Sequence, residues 1–594
     1  MKTSSWIKRW TRKNSNGSVE LAKPRSLRVE SLENRELLSV STAELSAIDA
    51  CDDGQSMPLD VCVAPSFYES AAIDSFDNSG RPACLENAEA ELIMADLRAF
   101  DATVDELLTT AGQDIDNLEK TFIFSLNSRP DSAYTIYLDF NGNEYEGLEW
   151  NGDNKVTTPP YDSQYYPYDG DDVVPYENYE DDPTFIESIS EFTNSELRDI
   201  YEIWYRVSED FSPFDVNVTT QEPANDQFSD NTRGIRVCIG GTCYDWYLQP
   251  GEDKAGGVAN SRFSNNTSAP CYVFSWNNCA IDDSNNGQKY IFPKFVADTV
   301  SHEIGHTLGL SHDGTIAHDG VAAKAYYEGA NNWAPLMGAS FYEDLTQWSK
   351  GEYEYANNTQ DDLAVITTTN GFGYRADDHG DSIATATPLN FAVAGTLGSG
   401  IIERNTDVDF FSFNLNGEKT VIKIGGVRSA TNLDALVNLY DASGELIETY
   451  DPVNTFYVAI DTKDLPNGKY YLGVSGTGRT VDGDVHYTDY GSLGAYTITT
   501  DNSFDAYEPN YSNGFAYDLG LVSGEKTFEN AYVGGATDTD DYYLVKIGSE
   551  SSENNNVNVK VNYKYIEDSS WVYLRLYEFK DNAWKTKASA HNAD

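Results

Sequence analysis

The chain has 594 residues and a mass of 65.9 kDa, room for roughly three to five domains, which excludes a single small binding module. It carries 40 Lys and Arg against 96 Asp and Glu, a net charge of −56, and so excess a negative charge argues against nucleic acid as a partner. At 40% hydrophobic and 13% aromatic it is too apolar for a disordered acidic chain, and no run reaches the roughly 18 apolar residues of a membrane-spanning helix.

The basic residues are concentrated at the start. Residues 1–35 hold nine basic and three acidic side chains, whereas the remaining 559 hold 31 and 93. That switch sets 1–40 apart as a targeting segment outside any fold. Within it, Leu32-Glu33-Asn34-Arg35-Glu36-Leu37-Leu38-Ser39 resembles the LE-x-R-x-LL-S motif that opens many large exported or cell-surface bacterial proteins. The resemblance implies an extracellular or cell-surface location.

Residues 41–128 form a possible pro-segment or linker. Leu92, Leu97, Phe100, Val104, Leu107 and Leu108 predict a helix from about Asn87 to Leu118. No chemistry is visible there.

Residues 129–376 begin with strand, helix and strand: Thr135–Asn141, a helix ending near Phe211, and a strand from Phe214, with a further strand over Cys271–Trp276. Next comes FVADTVSHEIGHTLGLSHDG, Phe295–Gly314. Val296, Val300, Ile304 and Leu308 line one helix face, and His302 and His306, four apart, lie one turn from each other on another. Glu303 is placed to hydrogen-bond a metal-bound water without ligating the metal. Gly309 suits the left-handed turn that ends the helix and returns His312 as a third nitrogen ligand. Three neutral imidazoles leave a fourth position open, as in catalytic rather than structural zinc.

His302, Glu303, His306, Gly309, His312 and Asp313 spell HExxHxxGxxHD, the zinc signature of the metzincin metalloendopeptidases. Pro335-Leu336-Met337-Gly338, with Met337 25 residues beyond His312, resembles the Met-turn of that family. Asp313 resembles the reprolysin-like branch and HEIGHTLGLSH the serralysin-like one. The resemblance implies an α+β catalytic domain, a twisted sheet with the zinc helix and Met-turn, that hydrolyses peptide bonds. Arg81-Pro-Ala-Cys84 resembles the cysteine-switch segment of some metzincin pro-segments, although the pattern departs after the Cys and a disulfide with Cys51 or Cys62 is the alternative use of Cys84. His318 reads as a surface histidine and Tyr342 as a packing residue.

The seven cysteines show no CxxC spacing, which excludes a zinc ribbon. Cys238 with Cys243, and Cys271 with Cys279, are spaced for local disulfides in an exported protein, or else are buried thiols.

Asp377–Gly380 marks a boundary to an all-β unit, 377–500, whose strands fall at Asp407–Phe413, Ala435–Tyr440, Leu465–Val474 and Ala495–Thr499. A second copy, 501–594, repeats the pattern: Asp541-Tyr-Tyr543 answers Asp409-Phe-Phe411 and Leu576-Tyr577-Glu578 answers Leu439-Tyr440-Asp441. It lacks a counterpart of Leu465–Tyr471 and is expected to be truncated. Both units resemble the bacterial pre-peptidase C-terminal domain, a jelly-roll-like sandwich that follows secreted proteases. Asp377, Asp378, Asp381, Asp407 and Asp409 are candidate Ca2+ ligands. The expected protein is an exported zinc endopeptidase acting on proteins or peptides, with C-terminal modules for a polymer or cell surface. The alternative is an adhesion protein on a catalytically idle protease scaffold.

Overall fold

A computed structural model describes residues 103–105, 107–146, 155–163, 191–223, 233–245, 255–260, 270–282, 288–318, 321–390, 395–416, 420–426, 430–452, 455–481 and 484–501. It also describes the strands Ser4–Lys8, Leu27–Arg28, Val61–Pro65, Tyr168–Asp169, Asp172–Val173, Tyr517–Val522, Tyr542–Ile547, Asn556–Val557, Tyr573–Lys580 and Ala583–His591. Several β-sheets and few helices make up these residues. The segments Leu32–Ser39 and Arg81–Cys84 lie outside them; of the helix expected from Asn87 to Leu118, residues 103–105 and 107–110 are helical, whereas 111–118 form turns and the helix does not reach Leu118.

One six-stranded sheet contains β1 (Val61–Pro65), β2 (Thr135–Asp139), β3 (Asn217–Thr219), β4 (Gly234–Ile239), β5 (Ala255–Asn260) and β6 (Cys271–Val273). Their spatial order is β1-β5-β6-β4-β2-β3. The β6-β4-β2-β3 part is parallel, whereas β5 runs antiparallel to β6 and β1 antiparallel to β5. Ile136, Leu138, Val237, Ile239 and Val273 are buried, consistent with parallel strands covered on both faces.

Helix α1 (Asn194–Asp210) starts at a capping box. The Glu196 N–H donates to Thr193 Oγ1, and the Thr193 N–H donates to Glu196 Oε2 at 2.8 Å. Its apolar stripe Leu197, Ile200, Ile203 and Val207 is buried. The following strand begins at Asn217 rather than Phe214, because Phe214 is used in an aromatic cluster with Phe211 and Trp348.

Helix α2 (Pro293–Thr307) opens with Pro293, whose missing N–H costs nothing in a first turn. Every residue from Lys294 to Thr307 is buried, polar ones included. Such a helix runs through a core instead of lying on its surface. Short parallel strands β7 (Trp333–Pro335) and β8 (Leu345–Gln347) pair Pro335 with Gln347, and helix α3 (Asp362–Thr369) closes this part of the chain.

The described strands of 377–500 form two larger sheets and a short hairpin, Arg479–Val481 with Asp484–Tyr487. Thr387–Pro388, β10 (Asp409–Leu415), β15 (Gly468–Gly476), β12 (Ala435–Tyr440) and β13 (Leu446–Tyr450) build the first. The second has the order β9 (Gly395–Ile402), β16 (Gly494–Asp501), β11 (Val421–Gly425) and β14 (Val458–Asp461). Ala435, Val437 and Leu439 alternate inward along β12, the period-two pattern seen in the sequence. Packing does not stop at the boundary near 377: one hydrophobic core joins Ile304, Met337 and Trp348 to Leu433, Tyr490 and Leu493.

Among the described strands outside these units, Ser4–Lys8 lies between Tyr542–Ile547 and Tyr573–Lys580, antiparallel to both. Ala583–His591 pairs along the outer side of Tyr573–Lys580 and supplies an edge strand that was not foreseen.

Candidate metal centre

His302 and His306 project from one side of α2, with their Nε2 atoms 3.1 Å apart. Two ligands of a tetrahedral ion with bonds of about 2.0–2.1 Å stand at close to that separation. The His302 Nδ1–H donates to the Leu336 carbonyl and the His306 Nδ1–H to the Leu310 carbonyl, each at 2.9 Å. Those bonds put the proton on Nδ1 and leave Nε2 bare for a metal.

The third imidazole arrives through a turn. Gly309 has φ of 98°, a left-handed conformation that strains any other residue. The Leu310 N–H donates to the Gly305 carbonyl at 3.0 Å, capping the helix and folding the chain back. His312 then lies with its ring 4.7 Å from that of His306 and 5.3 Å from that of His302. Its Nε2 is buried and meets no hydrogen-bond partner among the described residues. The three ring nitrogens lie within 4.8 Å of one another. Burial pushes the His306 imidazole down to about 4 and that of His312 to about 3, and holds His302 well below the ordinary range, so all three are neutral at pH 7. Three neutral, convergent nitrogens, one of them unpartnered, fit a zinc ion.

Glu303 is fully buried and outside that convergent group. It lies against Gly257 of β5, where a β-carbon would come within 2.7 Å of Glu303 Oε1. Only glycine lets the strand approach the carboxylate so closely. Met337 is fully buried beneath α2, and its carbonyl accepts the Asp313 N–H at 2.8 Å. Asp313 is held by Asn358 at 3.1 Å, and burial raises its carboxyl to about 7.

His318 stands apart from the cluster: its ring stacks on Tyr355 at 3.7 Å and its Nδ1 faces the Ile316 carbonyl. Tyr342 packs edge-on against Phe295 at 5.8 Å. Tyr326, unremarkable in the sequence, lies 4.4 Å from the His312 ring. Of the two alternatives for the cysteines, Cys238, Cys243 and Cys271 are buried thiols, with Cys238 and Cys243 packed among Val258, Tyr272 and Phe274. The expected Cys238–Cys243 bridge is therefore absent. Burial raises the Cys238 and Cys271 thiols well above their usual range, which keeps them unreactive.

A second cluster lies in the sandwich. Asp377, Glu403 and Asp407, and Asp377, Asp378 and Asp409, bring carboxylate oxygens within 4.8 Å of one another, whereas Asp381 joins neither group. Glu403, not anticipated from sequence, is fully buried, and neither of its oxygens meets a hydrogen-bond donor among the described residues. Arg375 Nε stands 3.9 Å away. Burial and the neighbouring carboxylates raise Glu403 to about 9 and Asp409 to about 8.

Neither a family model nor a curated protein matches the chain. Among solved structures, it is similar to the pre-peptidase C-terminal domain of a collagenase from Bacillus anthracis. The match is 15% identical, covers 21% of this chain and 98% of that one, and has a TM-score of 0.14. No helix among the described residues is long and apolar enough to cross a membrane.

Proposed function

We propose that this protein is an exported zinc endopeptidase of the metzincin type, followed by modules of the pre-peptidase C-terminal type. The observation that carries the proposal is the convergence of His302, His306 and His312 beside a buried glutamate that is not one of their group. When bound, zinc supplies Lewis-acid chemistry, acidifying water and polarising the scissile carbonyl. Glu303 accepts the proton of the attacking water and returns it to the leaving amine. Its burial against Gly257 keeps the carboxylate in place and bulk water away. An extended peptide has a place to lie along β5, and the chain's own Val61–Pro65 occupies that edge, which favours a pro-segment role for 41–128.

Calcium is proposed for the second cluster. Glu403, Asp407 and Asp409 are buried acids with oxygens short of donors, an arrangement that an oxygen-seeking cation relieves.

Casein hydrolysis by the purified full chain tests the enzyme. It should be abolished by a zinc chelator, restored by added zinc, and lost in Glu303→Ala with zinc still bound. Stoichiometric zinc without turnover of any denatured protein would instead favour an adhesion protein on an idle scaffold.

A further inference from the structure

Asn432 belongs to the sandwich, yet it reaches the metal centre by two routes. Its backbone carbonyl accepts from Gln347 Nε2 at 2.7 Å. The Gln347 backbone carbonyl in turn accepts the Leu336 N–H at 2.8 Å, and the Leu336 carbonyl accepts from His302 Nδ1. On the other side, Asn432 Nδ2 donates to Asp210 Oδ1 at 2.8 Å, while Asp210 Oδ2 accepts from Ser301 Oγ at 2.5 Å. Ser301 immediately precedes His302. Two hydrogen-bonded chains thus leave one sandwich residue and close on either side of one candidate ligand.

The surroundings make this clasp stiff. Gln347, Asn432, Asp210 and Ser301 are all buried, so a broken link there is costly. Gln347 Oε1 accepts the Trp333 indole N–H at 2.8 Å, which fixes the direction of its amide. Trp333 stacks on Tyr487 of the sandwich at 5.5 Å, and Leu345 bridges in parallel to Thr431. Gly491 permits the close approach: a β-carbon there would lie 2.3 Å from the Trp348 carbonyl.

We infer that Gln347 and Asn432 are positioning residues for the metal centre, and that the first sandwich is a built-in support for His302 instead of a detachable accessory. This rests on the zinc reading of His302, His306 and His312. Partners behind metal-bound histidines commonly contribute about 10- to 100-fold to metal affinity.

The test uses the full chain with zinc and with cobalt(II) as a spectroscopic probe. Gln347→Met removes both side-chain bonds with little change of volume, Gln347→Glu removes only the donor to Asn432, and Asn432→Ala removes the link to Asp210. We expect Gln347→Met and Asn432→Ala to weaken zinc, by chelator competition, about tenfold and to shift the visible bands of the cobalt protein, with far-UV circular dichroism unchanged. If Gln347→Met does not fold, Gln347→Glu and Asn432→Ala decide. Zinc affinities within twofold of the parent together with unshifted cobalt bands overturn the inference, even where the thermal midpoint falls. A parent that binds neither metal overturns the zinc reading itself and this inference with it.

Discussion

The sulfur of Met337 lies 2.4 Å from the point where a β-carbon on Gly305 would stand. The helix carrying His302 and His306 is therefore seated on the methionine at a glycine, one residue before the second histidine. Alanine is the better helix former by about 1 kcal/mol. In Gly305→Ala, however, the clash with a fully buried side chain should dominate, because overpacking a filled core costs about 1–3 kcal/mol. The variant should unfold at lower urea and hold zinc less tightly, since a displaced Met337 carries Leu336 and its carbonyl with it. Met337→Leu, nearly volume-conserving, should cost less than about 1.5 kcal/mol. Urea titrations of both variants check the order.

His306→Ala removes a ring nitrogen from the convergent group and should lower zinc content steeply and eliminate activity. His318→Ala should leave metal content close to that of the parent, because that ring is stacked on Tyr355 away from the cluster. Elemental analysis of the two purified variants makes the comparison, and equal loss from both would show that the third ligand is misassigned.

Stability should fall with rising pH across the near-neutral range. Glu209 is raised to about 8 and Asp210 to about 7, chiefly by burial between α1 and the sandwich, where the Ala495 N–H donates to Glu209 Oε1. Both acids bind their protons more tightly folded than unfolded. Their contribution is complete below the ordinary carboxyl range and is lost as pH climbs through about 7 to 8. Each group lowers stability by at most about 1.4 kcal/mol per pH unit in that window. Urea midpoints at pH 5.5 and 8.5, in excess calcium to hold the sandwich acids constant, should show the decline. Glu209→Gln should flatten it.

Calcium should raise the thermal midpoint of the full chain, and by more at pH 8 than at pH 6, because at pH 6 Glu403 and Asp409 keep their protons. Glu403→Gln leaves a neutral side chain of the same shape and should abolish most of the calcium-dependent shift. A calorimetric scan of parent and variant with and without calcium measures it, and an equal shift in both would remove Glu403 from the site.

Helix α2 and its histidines were legible because their information is local. Val296, Val300 and Ile304 mark an apolar face, though the helix proves buried all round, His302 and His306 fall one turn apart, and Gly309 signals the turn that returns His312. The strands of the sandwich were legible for the same reason, as Ala435, Val437 and Leu439 show. Whatever depends on long-range approach was not. Glu403 has no motif of its own, and it meets Asp377 only when β9 and β10 fold beside the start of the unit. Gln347 and Asn432 carry ordinary polar side chains 85 positions apart, and nothing near either one announces the other. The spacing of Cys238 and Cys243 allowed a local disulfide or buried thiols without deciding between them, and the structure has thiols packed in an apolar cluster.

A core that spans both halves of the molecule also sets a delay during synthesis. About 190 residues separate His312 from the end of the β16 strand that carries Ala495 and Ile498. At about 5–20 residues per second, the three candidate ligands leave the ribosome roughly 10 to 40 s before the last pieces of their support. Until Asn432 emerges, 130 positions after His302, the link through Gln347 has no partner in the sandwich. On the proposed zinc reading, the centre therefore gains its full support only once the sandwich is made.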